Sequence, residues 1–167
     1  MSTPQSQNTH KFGILIWDKD PSTEKKFNAV VKRNLPRRFG VDVTLTQAET
    51  VSSLKEKVNV FFREGRKVLV FISVDDQPFD IYRDVIDLVD IRFLSKWELV
   101  VISGNSKMQY WADRLGVRFL SRLISPFQLS RFIVTALKIE GSGNNKDLGQ
   151  TNNSSPSRFG GTDKNKL

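Results

Sequence analysis

Apolar and polar positions along the chain fall into alternating blocks of two periods. Residues 12–17 (FGILIW) form an unbroken apolar run, the pattern of a strand covered on both faces. Asp18-Lys19-Asp20-Pro21 closes it, with Asp20 suited to cap a helix and Pro21 to its first position. Phe27, Val30, Val31 and Leu35 then recur at helical spacing, and Pro36 and Gly40 are expected to stop that helix. Residues 41–47 (VDVTLTQ) alternate and are rich in β-branched types, which predicts a strand near the sheet edge. Thr50 is placed to cap a second helix with Val51, Leu54, Val58 and Phe61 on its buried side, ended by Gly65. Residues 68–72 (VLVFI) are a second fully apolar strand, followed by a loop over 73–78. Ile81, Val85, Leu88, Val89 and Phe93 mark a third helix, and residues 99–102 (LVVI) a third buried strand. A short helix over 107–115, stopped by Gly116, precedes a last strand over 117–124. Pro126 opens a final helix with Leu129, Phe132, Ile133, Ala136 and Leu137 on its core face.

Five β-α repeats with buried strands predict an α/β fold, a parallel five-stranded sheet with helices on both faces. In such sheets the working groups lie at the carboxyl ends of the strands. Those ends are residues 18–20, 73–76, 103–104 and 125–126.

Composition sets the bounds of the domain. Only 38% of the 167 residues are hydrophobic, and the shortage is concentrated at the two ends. Residues 1–10 and 141–167 have too little to bury to offset the entropy of ordering, so both are expected to be disordered around a domain over 11–140. The lack of cysteine excludes disulfides, thiol nucleophiles and zinc-thiolate sites, and the single His10 lies outside the expected core. No signal-peptide pattern or membrane-length apolar run is visible, so a cytoplasmic location is expected. No glycine-rich phosphate loop follows the first strand, and there is no Gly-x-Ser-x-Gly, so the chain is not expected to be an enzyme.

At the strand ends the sequence resembles the receiver domains of two-component response regulators, flavodoxin-like (βα)5 proteins. Three stretches carry the resemblance: Ile14 to Pro21, with its acidic residues at the end of a strand; Leu99 to Gly104; and Ile124-Ser125-Pro126-Phe127, similar to the Lys-Pro-Phe before the family's last helix. Ser103 and Ser125 lie 22 residues apart, near the family's usual interval, and Ser73 lies 30 residues before Ser103 and 52 before Ser125. Ser73 therefore stands where the resemblance implies the phospho-acceptor Asp.

The resemblance implies an acceptor carboxylate, two acids that hold Mg²⁺, a Lys for the phosphoryl oxygens and a Ser/Thr that senses them. Here Ser73 cannot form an acyl phosphate, Lys19 replaces the second acid, and Ser125 replaces the Lys. Asp18 and Ser103 remain, and one carboxylate is a poor site for a hard cation that wants several oxygen ligands. No metal and no cofactor are expected. The Lys19 ammonium is either a built-in counter-ion for Asp18 or a solvated lysine. Asp75 would become the acceptor through a two-residue slip, which is the alternative of a residual phospho-accepting receiver; whether Asp76 is ever phosphorylated stays open. The expectation is a pseudo-receiver, independent of phosphorylation.

The net charge of +8 points to an acidic partner. One basic group lies on and after the first helix: Lys25, Lys26, Lys32, Arg33, Arg37 and Arg38. A second runs through the fourth helix, fifth strand and fifth helix: Arg114, Arg118, Arg122 and Arg131, beside Tyr110 and Trp111. In receivers that surface is the usual docking face, so these six residues are the candidate partner-binding set. An acidic protein is the expected partner. Nucleic acid is the alternative, without a helix-turn-helix, zinc or RNA-binding motif to support it, and a homodimer through the same face is a further candidate.

Overall fold

A computed structural model describes residues 10–75, 80–95 and 97–140, apart from the side chains of 92–95. The expectations for Asp76, for the Phe93 side chain, for residues 1–9 and for 141–167 lie outside the described residues. The strands are β1 (Lys11–Trp17), β2 (Asp42–Gln47), β3 (Lys67–Ser73), β4 (Glu98–Ser103) and β5 (Arg118–Ser121). They form one parallel sheet in the order β2-β1-β3-β4-β5. This is the doubly wound α/β architecture that the five repeats predict.

Both faces are covered, which explains why the inner strands lack polar alternation. Ile14, Ile16, Leu69 and Phe71 pack on one side with Phe27, Val30, Val31 and Leu129, Ile133 from the first and last helices. Leu15, Trp17, Val70 and Ile72 pack on the other with Leu54, Val58, Phe61 and Val85, Leu88. Strand β2 lies at the edge, as its alternation predicts.

Helix α1 begins where expected: Asp20 accepts from the Ser22 N–H, and Pro21 takes the first position. It does not stop at Pro36. An α-helical piece, Pro21–Asn28, passes through a π-helical segment, Ala29–Asn34, into Leu35–Phe39. Proline inside an α-helix clashes with the carbonyl four residues back. The Leu35 N–H here reaches back five residues to Val30, and that wider turn accommodates Pro36. Gly40, at φ 62°, ends the run in a left-handed conformation that suits a residue with no Cβ. The remaining helices are α2 (Val51–Arg63), α3 (Asp80–Ser95), α4 (Lys107–Arg114) and α5 (Pro126–Leu137).

The second departure is at β5. The apolar pattern predicts a strand to residue 124, but the ladder ends at Ser121, paired with Ser103. Arg122 and Leu123 form a turn, and Ser125 caps α5 in a reciprocal capping box with Gln128. The shorter strand frees Arg122 to turn over the sheet's carboxyl edge.

Candidate functional site: an acid cluster bridged by one arginine

Parallel registry brings four chain segments together at that edge. Trp17 pairs with Ile72 and Ser73 with Ile102, so Asp18, Ser73 and Ser103 come side by side. Asp18, Ser73 and Ser103 are all buried.

The residue that unites them is Arg122. Its Nη1 donates to Asp18 Oδ2 at 2.9 Å, to Asp20 Oδ2 at 3.2 Å and to Thr23 Oγ1 at 3.1 Å. Its Nε donates to Asp75 Oδ2 at 2.9 Å, and its Nη2 donates to the Ser73 hydroxyl. The backbone is fixed as well: the Arg122 N–H donates to the Ser103 carbonyl at 3.1 Å, and its own carbonyl accepts from Lys26 Nζ at 3.0 Å. A planar guanidinium with five N–H donors is suited to bridge groups arriving from several strands, which an ammonium is not.

Asp75 completes the cluster. Its Oδ1 accepts from the Ser103 hydroxyl at 2.5 Å, and its Oδ2 accepts from the Gly104 N–H at 2.7 Å as well as from Arg122. Burial opposes the charged form of Asp75, yet Ser103, Gly104 and Arg122 together hold its carboxyl below the usual carboxylate range. Asp20 is also held low, chiefly by the Ser22 backbone N–H. Burial disfavours the Arg122 cation too, but Asp75 and Asp18 raise its pKa above the usual arginine value.

These contacts revise the expectations for individual residues. Arg122, grouped by sequence with the outward arginines, instead sends its side chain into the acid cluster, because β5 ends one residue before it. Lys19, considered as counter-ion to Asp18, is exposed, and the cation on Asp18 is Arg122. Strand β3 ends at Ser73 as the spacing predicts, without a slip, while Asp75 reaches the cluster from the following turn. Ser125, at the position the resemblance gives to Lys, is a helix cap.

The cluster does not fit Mg²⁺. Asp18 spends Oδ1 on the Asp20 N–H and Oδ2 on Arg122, and Asp75 is occupied at both oxygens. Among the described residues no three acidic or imidazole groups converge as ligands. A cavity of about 600 Å³ opens above the cluster, with Lys19, Tyr82 and Met108 in its walls.

The residues of the second basic group divide. Tyr110 is 68% exposed, with the Arg114 guanidinium 5.8 Å from its ring centre. Trp111 is half-buried, edge-on to Tyr82 at 5.3 Å, with its ring packed against the core. Arg118 lies 3.8 Å from Glu98, and Arg131 stacks over Phe127 at 5.9 Å.

No family model matches the sequence, and no curated protein matches it. Solved structures do match by fold. One is the signal receiver domain of a Luxo repressor protein from Vibrio parahaemolyticus, with TM-score 0.54, 16% identity, and 77% of this chain and 91% of that chain covered. A pilus assembly-related protein from Burkholderia pseudomallei matches with TM-score 0.54 and 15% identity over 80% of this chain and 94% of that one. The signal receiver domain of a modulated diguanylate cyclase from Desulfovibrio desulfuricans matches with TM-score 0.51 and 15% identity, covering 75% and 93%. The strand order and these matches define the fold: the chain is a flavodoxin-like α/β domain with the architecture of a signal receiver. No helix among the described residues is long and apolar enough to cross a membrane.

Proposed function

We propose that the chain is a pseudo-receiver, a protein-binding module that works without phosphorylation through the basic surface of α4, β5 and α5. One observation carries the reading: the chain's own Asp75 and Arg122 already satisfy the groups that would answer to a phosphoryl group. The Ser103 hydroxyl donates to Asp75, and the basic group at the end of β5, Arg122, is bound to Asp18, Asp20, Asp75 and Ser73. The acceptor position is a serine, which forms no acyl phosphate. Phosphorylating Asp75 instead would require breaking its bonds to Ser103, Gly104 and Arg122. Ser103 and Arg122 lie at the ends of the two strands that support the α4-β5-α5 surface, so that surface is held in one arrangement with no signal needed.

The test is incubation with acetyl phosphate and Mg²⁺ followed by intact-mass and peptide mass spectrometry. We expect no adduct. A stoichiometric, hydroxylamine-labile adduct on any Asp overturns the reading, and one on Asp75 identifies a working receiver with a displaced acceptor.

A further inference from the structure

The outer side of α5 carries a large aromatic that the core does not use. Phe127 is 60% exposed. Arg131, one turn later, lies over its ring at 5.9 Å, and Arg38 lies over the Phe39 ring at 5.7 Å. Both pairs line one groove of about 250 Å³ between the end of α1 and α5, floored by Ser130 and Val134. A second groove, of about 330 Å³, lies on the other side of Arg131 and adds Arg118 and Ile124. Among the described residues no acidic side chain lines either groove. Among the described residues neither Arg38 nor Arg131 has a carboxylate partner, whereas Arg66, Arg118 and Arg122 each do.

We propose that the α1-α5 groove docks an acidic segment of a partner protein, with an apolar side chain of that segment filling the groove between Arg38 and Arg131. This rests on the protein-binding reading above and moves the contact to the α1 side of α5. A guanidinium laid on a ring has lost much of its freedom already, so binding a carboxylate costs it less ordering, and its N–H edge suits a carboxylate in two-point contact. The groove is apolar enough to take an aliphatic anchor, and its charge is of one sign. Nucleic acid fits less well, because the exposed Phe127 ring and the half-buried Phe39 ring, on which bases would stack, already have their own arginines against them.

The experiment titrates the ¹⁵N-labelled full chain with a short synthetic peptide of glutamate and leucine, and separately with oligothymidylate. Amide shifts should concentrate at Phe39, Phe127, Arg131 and Val134. Arg38→Glu with Arg131→Glu should weaken peptide binding by about tenfold or more, since attraction becomes like-charge repulsion. Lys55→Glu with Arg63→Glu, a charge-matched change on α2 away from both basic surfaces, should leave it within about twofold. Unchanged melting curves establish that both variants fold. Equal losses in the two variants mean that net charge alone binds the peptide, and the proposal fails. Loss only in the α2 variant overturns the groove, whereas failure of the pseudo-receiver reading registers separately as an Asp adduct. No binding, or tighter binding of oligothymidylate at the same residues, also overturns it.

Discussion

Arg122 holds three carboxylates and two hydroxyls with one side chain that is itself only 20% exposed. Replacing it by Ala leaves Asp18 and Asp75 facing each other with no cation between them. Removing one partner of a fully buried pair costs about 3–5 kcal/mol. This pair is partly solvated, so Arg122→Ala should lose roughly 2–3 kcal/mol in urea unfolding. Arg122→Lys should recover only part of that, since an ammonium cannot span the same acceptors. A loss within error of zero would remove the bridge from any account of stability. Asp75 sets a pH dependence. Its folded pKa lies below the unfolded value of about 3.9, so its contribution is present above that value and disappears as pH falls through the folded one. Asp75→Asn should therefore flatten the loss of stability below about pH 4, as followed by urea midpoints across acid pH. An acid limb identical to the parent's would show that Asp75 is not coupled to folding.

At the scale of elements, two local devices fit the helices to the sheet. The π-helical segment lets α1 run past Pro36 and keep Val30, Val31 and Leu35 buried. On the opposite face α2 lies close on β1 because residue 13 is glycine: a Cβ there would sit 2.3 Å from the Phe61 ring. Gly13→Ala should cost about 1–3 kcal/mol by overpacking, and Phe61→Leu in the same chain should restore part of it. Chemical denaturation of the single and double variants measures this. Additive losses would show that the two positions do not share the space. The helical period marks α1 in the sequence, but the relief at Pro36 is invisible to it, since proline signals a stop unless the turn before it widens. The end of β5 was equally hidden, because residues 117–124 continue an apolar pattern while the ladder stops where its β4 partner stops, at Ser103.

For the whole molecule, the two faces of the sheet bury separate apolar clusters, both built from residues between Phe12 and Ile139. We propose that the domain ends near Glu140, where the sequence runs out of residues to bury. Residues 141–167 offer only Leu148, Phe159 and Leu167 for burial. A chain ending at Glu140 should therefore melt at the same temperature as the full chain, with the same cooperativity, in differential scanning calorimetry. A clearly lower midpoint would show that the later residues contribute to the fold.

The sequence by itself determined the alternation of strands and helices, the parallel sheet, the edge position of β2 and the row of strand ends where Asp18, Ser73 and Ser103 meet. Burial on two faces is written into each strand locally, as unbroken apolar runs, and loop positions follow from capping residues and glycine. It also marked Ser73 as unable to form an acyl phosphate and Ser125 as lacking an ammonium, because residue type alone decides both. The tertiary structure alone decided which cation meets the acids. Lys19 adjoins Asp18 in sequence, yet Arg122, 104 residues away, makes the bond. Neighbours along a strand end point in different directions, whereas parallel pairing carries β5 to the same edge as β1 and β3, within reach of a long guanidinium. That contact depends on where β5 stops and how it registers on β4, and no local pattern in residues 117–124 records either.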